Sequence, residues 1–216
     1  MRLAIILPFY LALSVLILAA VPGARGAAAA GRISLPGITF SAASSNFRLL
    51  AASGTGSLED PIVLIEEVFG EGEVVLAINV DAADFGSRVA TRHAVGFALQ
   101  KVVINRTALI WDHYALELEF EAGRGSDYYD GLSFAQSETA NRPFRSDSFA
   151  QVDDLTEPRD VIRFSQGQII PGERGRFAVA ITHTGIKPNF FLVQHVRPPY
   201  AQLDVPPYPD HLQNAL

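Results

Sequence analysis

Carboxylates are dense between residues 123 and 160, and carboxylate oxygens are the ligands that hard cations prefer. Calcium takes about six to eight oxygen ligands, often from closely spaced aspartates and backbone carbonyls. The stretch lacks the ligand spacing and terminal glutamate of an EF-hand loop, so the competing interpretation is a solvated loop whose aspartates cap turns. The candidate calcium ligands are Asp127, Asp130, Asp147, Asp153 and Asp154.

Two adjacent tyrosines, Tyr128 and Tyr129, lie in the same acidic stretch. Aromatic faces beside carboxylates suit the binding of a carbohydrate or a peptide at the edge of a domain. Large aromatic side chains more often lie in the core, as we expect for Trp111 and Tyr114. We therefore predict that Tyr128 and Tyr129, which have polar neighbours, are exposed and form the candidate ligand contact.

Patterns of known catalytic sites are absent from the sequence, so we assign no catalytic residue. Glu117, Glu119 and Glu121 alternate, and paired carboxylates are sufficient for glycoside hydrolysis. The same alternation fits the solvent face of a strand, which we favour. His183 and His195 are expected on neighbouring strands and could meet across a hairpin, but a zinc site would need a third ligand.

The elements that must position these residues are strands. Residues 114–121 and 177–182 alternate strictly between apolar and other side chains, as half-buried strands do. In the run that begins at Val95 the alternation changes phase after Leu99, which predicts a bulge near Lys101. Further β-rich runs are separated by glycine and proline turns. The pattern predicts an all-β fold, an antiparallel two-sheet sandwich, with a β-barrel as the alternative. The residues predicted to share the core are Tyr114, Leu116, Leu118, Phe120, Phe177, Val179 and Ile181.

The two ends of the chain differ from the middle. Residues 1–26 have a positive start, an apolar run and a small-residue exit, the order of a secretory signal peptide, with an uncleaved anchor as the alternative. Cleavage would leave a secreted or periplasmic protein with no membrane span. Residues 27–58 are predicted to be an Ala/Ser/Gly-rich arm that becomes ordered near residues 47–50. Residues 59–197 form the sandwich domain, and residues 198–216 are a proline-rich extended tail.

Composition limits which compartment and which partners we expect for this protein. The chain has 216 residues, a formal net charge of −6 and no cysteine. The acidic balance argues against nucleic acid and anionic lipid as partners, because both require a basic patch. The absence of cysteine excludes disulfides and thiolate metal sites and fits export in a bacterium. The hydrophobic content of 49% is sufficient for one domain with a sizeable core.

Residues 103–182 resemble exported bacterial β-sandwich modules that often accompany C-terminal sorting signals or calcium-binding repeats. The phrases that carry the resemblance are Trp111-Asp112-His113-Tyr114, Asp130-Gly131-Leu132-Ser133-Phe134 and Pro171-Gly172-Glu173. The resemblance implies a β-sandwich fold and export. Residues 198–216 contain neither a hydrophobic anchor nor a basic tail, so a sorting role is not supported.

These observations lead to one functional expectation and one alternative. We expect an exported, non-catalytic β-sandwich protein that binds or scaffolds a ligand in the cell envelope or outside the cell. The alternative is a hydrolase of envelope polysaccharide or protein that uses carboxylates as acid and base. No cofactor is expected other than the candidate calcium ion.

Overall fold

A computed structural model describes residues 31–127, 129–135, 144–155, 158–186 and 188–196. Within these ranges the chain forms strands and no helix, and hence no helix with the length and hydropathy to cross a membrane. The strands are β1 (Arg32–Leu35), β2 (Ile38–Ala42), β3 (Phe47–Ser53), β4 (Ile62–Val68), β5 (Val74–Val80), β6 (Val95–Asn105), β7 (Tyr114–Glu121), β8 (Arg124–Gly125), β9 (Leu132–Phe134), β10 (Arg145–Ser146), β11 (Phe149–Leu155), β12 (Val161–Gly167), β13 (Arg174–His183) and β14 (Asn189–His195).

The strands make two sheets that pack face to face. Sheet A has the order β1-β2-β5-β14-β7-β12-β11, and β8 pairs with β7. Sheet B has the order β10-β13-β6-β4-β3, and β9 pairs with β13. These strand pairs are antiparallel except β4–β6, which is parallel. The sheets are not closed into a barrel, so the predicted all-β sandwich is confirmed.

Side chains that alternate along the central strands fill the space between the sheets. The predicted core residues of β7 and β13 are buried there, with Leu116 and Leu118 facing Phe177, Val179 and Ile181 in one cluster. Phe120 differs from the prediction, because it is only half-buried. It lies near the end of β7, where the Arg124 guanidinium and the His183 ring contact its faces.

Most of the expected N-terminal arm is part of the fold. Residues 32–53 form β1, β2 and β3, which belong to the two sheets, so the expectation of a loose arm is wrong for this part. Ile33 and Leu35 alternate on β1, and Ile38 and Phe40 alternate on β2, so the Ala- and Ser-rich composition hid a period of two. Gly37 makes the turn between them with a φ of 76°. The predicted signal peptide and proline-rich tail lie outside the described residues.

Strand β6 contains no bulge. Its pairing with β13 and with β4 is continuous through Lys101. The phase change in the sequence has another cause: Lys101 occupies an inward position between Leu99 and Val103, and it is fully buried. A lysine at a core position broke the apolar alternation, and the backbone remained regular.

Candidate functional site

The outer face of sheet A carries a group of charged side chains that we call the outer-face cluster: Glu73, Glu117, Glu119, Arg159 and His195. Because Leu116 and Leu118 point into the core, the intervening Glu117 and Glu119 must point outward. On the neighbouring strand Val193 is paired with Glu117, and His195 lies on the same face two residues further. Sheet pairing therefore brings an acid and an imidazole together from positions 78 residues apart.

Glu117 is the centre of the cluster. Its Oε2 lies 3.0 Å from His195 Nε2, and its Oε1 accepts a hydrogen bond of 3.0 Å from Arg159 Nη1. His195 Nδ1 lies 3.6 Å from Glu73 Oε1, so the imidazole is held between two carboxylates. A Cβ atom at Gly125 would lie 2.9 Å from Arg159 Cδ and 3.0 Å from Glu117 Oε1, so a residue without a side chain leaves room for this ion pair.

The expectation that the three β7 glutamates face water is wrong for two of them. Glu117 is 4% exposed and Glu119 is 8% exposed, whereas Glu121 at the strand end is exposed. The Arg159 side chain covers Glu117, and the backbone N–H of Gly123 donates a 2.8 Å hydrogen bond to Glu119 Oε2. An outward position on a strand is therefore not the same as a solvated position.

The two buried carboxylates have pKa values shifted in opposite directions. Burial alone would raise the pKa of Glu117, but the hydrogen bonds and positive charges of His195 and Arg159 outweigh it, so the pKa is lowered. Burial raises the pKa of Glu119, and the Glu117 and Glu73 charges add to this, while the Gly123 bond and the Arg159 charge oppose it. An acid and a base with separated pKa values are the usual ingredients of carboxylate catalysis.

The fold also determines the surroundings of His113 and the position of His183. Burial, together with the charges of Arg163 and His195, lowers the pKa of His113 against the opposing effect of Asp112. His183 lies at the end of β13 in sheet B, and His195 lies at the end of β14 in sheet A. The idea that His183 and His195 meet across a hairpin is therefore wrong, because the chain changes sheets between them.

The carboxylates of Asp127 and Asp130 are used by their own loop. Asp130 accepts hydrogen bonds from the backbone N–H groups of Asp127 and Leu132, at 3.1 Å and 2.9 Å. Asp127 Oδ1 accepts a 2.8 Å bond from the N–H of Tyr129. Such bonds from an aspartate to nearby backbone N–H groups are turn caps. The geometry matches the turn-capping interpretation of these two aspartates.

Tyr129 lies at the tip of this capped loop with 90% of its surface exposed. Tyr128 lies outside the described residues. The loop is attached to the β13–β14 turn, since the N–H of Thr184 donates a 3.0 Å bond to the Gly131 carbonyl. In that turn Ile186 is 71% exposed. The loop and the turn therefore present a tyrosine and an isoleucine at one end of the sandwich, and we call these two residues the loop-end surface.

The other candidate calcium ligands are not brought to this loop. Asp147 follows β10, where both its oxygens accept bonds from Arg176 and it lines an open polar cavity of about 550 Å³. Asp130 lies near the His183 end of β13, because Leu132 is paired with His183. Arg176 lies further along that strand, roughly 20 Å away at about 3.3 Å per residue. Asp153 and Asp154 lie on the edge strand β11. Among the described residues, no group of three or more His, Cys, Asp or Glu side chains is arranged to hold a metal ion. The candidate calcium site stays an untested alternative to the turn-capping interpretation.

Sequence reasoning singled out the tyrosine loop but missed the outer-face cluster. The strand alternation predicts a solvated Glu117, and the sequence suggests His195 only as a partner of His183. The sequence does contain a signal for the cluster. His195 and Glu117 are polar residues within apolar runs, and both stand at outward-facing positions of their strands. Nothing in the sequence pairs β14 with β7. Comparisons with protein families, curated proteins and solved structures find no match for this chain.

Proposed function

We propose that this chain is an exported, non-catalytic β-sandwich protein that binds a ligand in the cell envelope or outside the cell, and that the loop-end surface makes the contact. The observation that carries the proposal is the 90% exposure of Tyr129, whose backbone N–H is bonded to Asp127 beside the turn bonds of Asp130. A backbone held by such bonds loses less conformational freedom on binding than a free loop does, which favours affinity.

The ligand class follows from the chemistry of the surface. A tyrosine ring offers an apolar face for a sugar ring or an apolar peptide side chain, and its hydroxyl offers a hydrogen bond. Ile186 extends the apolar contact on the neighbouring turn. We infer an envelope polysaccharide as the ligand, with an extended peptide as the competing outcome. The acidic net charge of −6 agrees with a ligand that is not strongly anionic.

Binding is tested by co-sedimentation of the purified protein with isolated envelope polysaccharide, followed by affinity measurement with soluble fragments. Tyr129→Ala should weaken binding about tenfold or more, as truncation of a central aromatic contact does. Ile110→Ala is the matched control, because Ile110 is also exposed but follows β6, at the opposite end of the sandwich from Tyr129. Equal affinities of all three proteins would reject the loop-end surface as the contact.

Export rests on the pattern of residues 1–26 and on the resemblance of residues 103–182 to exported modules. It is tested by mass spectrometry of the protein isolated from its host after cell fractionation. We expect an N-terminus between Ala27 and Ile33 and recovery from the periplasm or the medium. An intact Met1 on protein in the cytosolic fraction would contradict export.

One observation favours a second candidate function, the carboxylate hydrolase. Glu119 has a raised pKa and Glu117 a lowered pKa, and they lie on one face two residues apart, with Cα atoms about 7 Å from each other. This division suits a general acid and a base or nucleophile. The decisive measurement is release of reducing ends or peptides from envelope substrates. Activity abolished by Glu117→Gln and by Glu119→Gln, but kept by Glu121→Gln, would establish this function in place of binding alone.

A further inference from the structure

A lysine and a glutamate face each other inside the hydrophobic core, away from the surfaces considered so far. Lys101 on β6 and Glu66 on β4 are both 0% exposed, and Lys101 Nζ lies 2.8 Å from Glu66 Oε2. The two strands are neighbours in sheet B and run parallel, with Lys101 paired to Leu64. Both side chains therefore point from the same face of the sheet into the space between the sheets.

Apolar side chains surround this pair. Phe177 is the partner of Lys101 on the other neighbouring strand, β13. The Phe177 ring stacks on Tyr114 of sheet A with centroids 3.9 Å apart, and Phe164 packs edge-on against Phe177 at 4.9 Å. An ammonium and a carboxylate lose their hydration here, and their attraction compensates only partly for that loss. The surroundings therefore favour the uncharged form of the Lys101 amine.

Burial lowers the pKa of Lys101, although the charge and hydrogen bond of Glu66 oppose the shift. Glu66 Oε1 has no hydrogen-bond partner among the described residues, which is costly for a buried carboxylate oxygen. Transfer of one proton from Lys101 to Glu66 would produce a nucleophilic amine beside a carboxylic acid without moving a heavy atom.

Tyr114 supplies a protonated hydroxyl on the opposite side of the core. Burial raises the pKa of Tyr114 well above its usual value, and the nearby Glu66 carboxylate adds to the effect. The Tyr114 hydroxyl bonds to Gln194 Oε1, and Gln194 Nε2 has no hydrogen-bond partner among the described residues. The core thus contains a hydrogen-bond donor that keeps its proton at neutral pH.

We propose that Lys101 and Glu66 condense to form an intramolecular amide bond that joins β6 to β4. The Lys101 amine nitrogen attacks the Glu66 carboxyl carbon, and the C–N bond forms. The nitrogen loses a proton, and the departing hydroxyl of Glu66 takes up a proton and leaves as water when the C–O bond breaks. The sum is one carboxylic acid plus one amine giving one amide plus one water, with no oxidant, reductant or further reactant.

Such a bond would fit two properties of this chain, its lack of cysteine and its buried pair of charged side chains. The chain has no cysteine, so a disulfide cannot join its strands. The amide would link two strands at the centre of sheet B and would replace two buried charges by one neutral group. Formation requires the folded core, because only folding brings Lys101 and Glu66, 35 residues apart, into contact.

The test is the intact mass of the folded protein after denaturation, compared with the mass calculated from its own determined termini. We expect a mass lower by one water. Proteolysis should then release a branched peptide that joins the segments containing Glu66 and Lys101, with no tryptic cleavage after Lys101. Lys101→Arg keeps the buried cation but cannot form this amide, so its mass should be the full sum of its residues. Glu67→Gln, which alters an outward-facing neighbour paired with Arg48 and Arg106, should still lose water.

The measurement on the parent protein decides the proposal even if Lys101→Arg fails to fold. A mass equal to the full sum of the residues, with no loss of water after prolonged incubation of the folded protein, would overturn the proposal. Loss of one ammonia in place of one water would also overturn it, because the bond would then come from an amide side chain such as Gln194. Loss of water with a branched peptide at any other residue pair would do the same.

Discussion

His195 and Glu117 lie side by side on the outer face of sheet A, with the imidazole Nε2 3.0 Å from the carboxylate Oε2. The contact joins β14 to β7 across their outward positions, and Arg159 completes it from the segment before β12. The group is more than 90% buried at Glu117 and His195. The ionisation of Glu117 is therefore coupled to the stability of the sandwich.

Replacement of Glu117 by glutamine should change how stability depends on acid. The pKa of Glu117 is lowered in the folded state, so its contribution is present above the ordinary value of 4.5 and is lost as the pH falls through the folded value. We expect Glu117→Gln to cost about 1–3 kcal/mol at pH 7, because it weakens two charged hydrogen bonds. The cost should shrink in strong acid. Urea unfolding at several pH values measures it, with exposed Glu121→Gln as the control, and a cost independent of pH would contradict this assignment.

His183 should make the fold sensitive to mild acid. Burial, mainly, holds its pKa below the ordinary value of 6.5, and its Nδ1 accepts a 2.7 Å bond from the N–H of Gly185. A folded pKa below the unfolded one means that this contribution is fully present above pH 6.5 and is lost as the pH falls below it. His183→Asn keeps an acceptor near the position of Nδ1 and cannot be protonated. Thermal melts from pH 7.5 to 5 should show a flatter pH profile for this variant than for the parent protein, and identical profiles would contradict this role of His183.

The core position of Leu118 predicts a large cost on truncation. Leu118 is fully buried between the sheets, so Leu118→Ala should destabilise the protein by about 2–5 kcal/mol. Glu121→Ala, three residues further along β7 and exposed, should cost less than about 0.5 kcal/mol. Both values come from denaturant unfolding. Similar costs for the two variants would show that the orientation of β7 is wrong.

Asp130 should stabilise the protein through its turn bonds, independently of calcium. Asp130→Ala removes the acceptor of the Asp127 and Leu132 N–H groups and should cost about 1–3 kcal/mol. We expect this cost to be the same with millimolar calcium and with a chelator, and the melting temperature of the parent protein to be unchanged by either. A bound ion present at a hundredfold excess over its dissociation constant would add about 2.7 kcal/mol. A calcium-dependent rise that Asp130→Ala abolishes would restore the metal site.

The alternation of side chains was sufficient to predict the sheets and the inward residues, as Leu118 and Phe177 illustrate. It was insufficient for the outward residues, because a period of two separates the faces of a strand but does not say what covers them. Glu117 is covered by Arg159, 42 residues away in sequence, and no local pattern reports that contact.

Two other differences between the sequence prediction and the structure occur where residue composition obscures the alternation of a strand. Lys101 interrupts an apolar alternation, and the phase change alone predicts a bulge, although the cause is a lysine at a core position, which is rare. The frequency of alanine, serine and glycine predicts an arm over residues 27–58, although within it Ile33, Leu35, Ile38 and Phe40 alternate on either side of Gly37. Of the candidate site, the Tyr129 loop was found from local polarity, whereas the His195 contact depends on strand order.

The parallel pairing of β4 with β6 has a kinetic consequence. Between these strands the chain crosses to sheet A to form β5 and returns, so their contact cannot begin as a hairpin. The ends of a long loop must come together before the pairing yields any stability, and folds dominated by such distant contacts take milliseconds to seconds to form. If the chain is exported as proposed, slow pairing of β4 with β6 lengthens the interval in which an unfolded chain can cross a membrane before the sandwich closes.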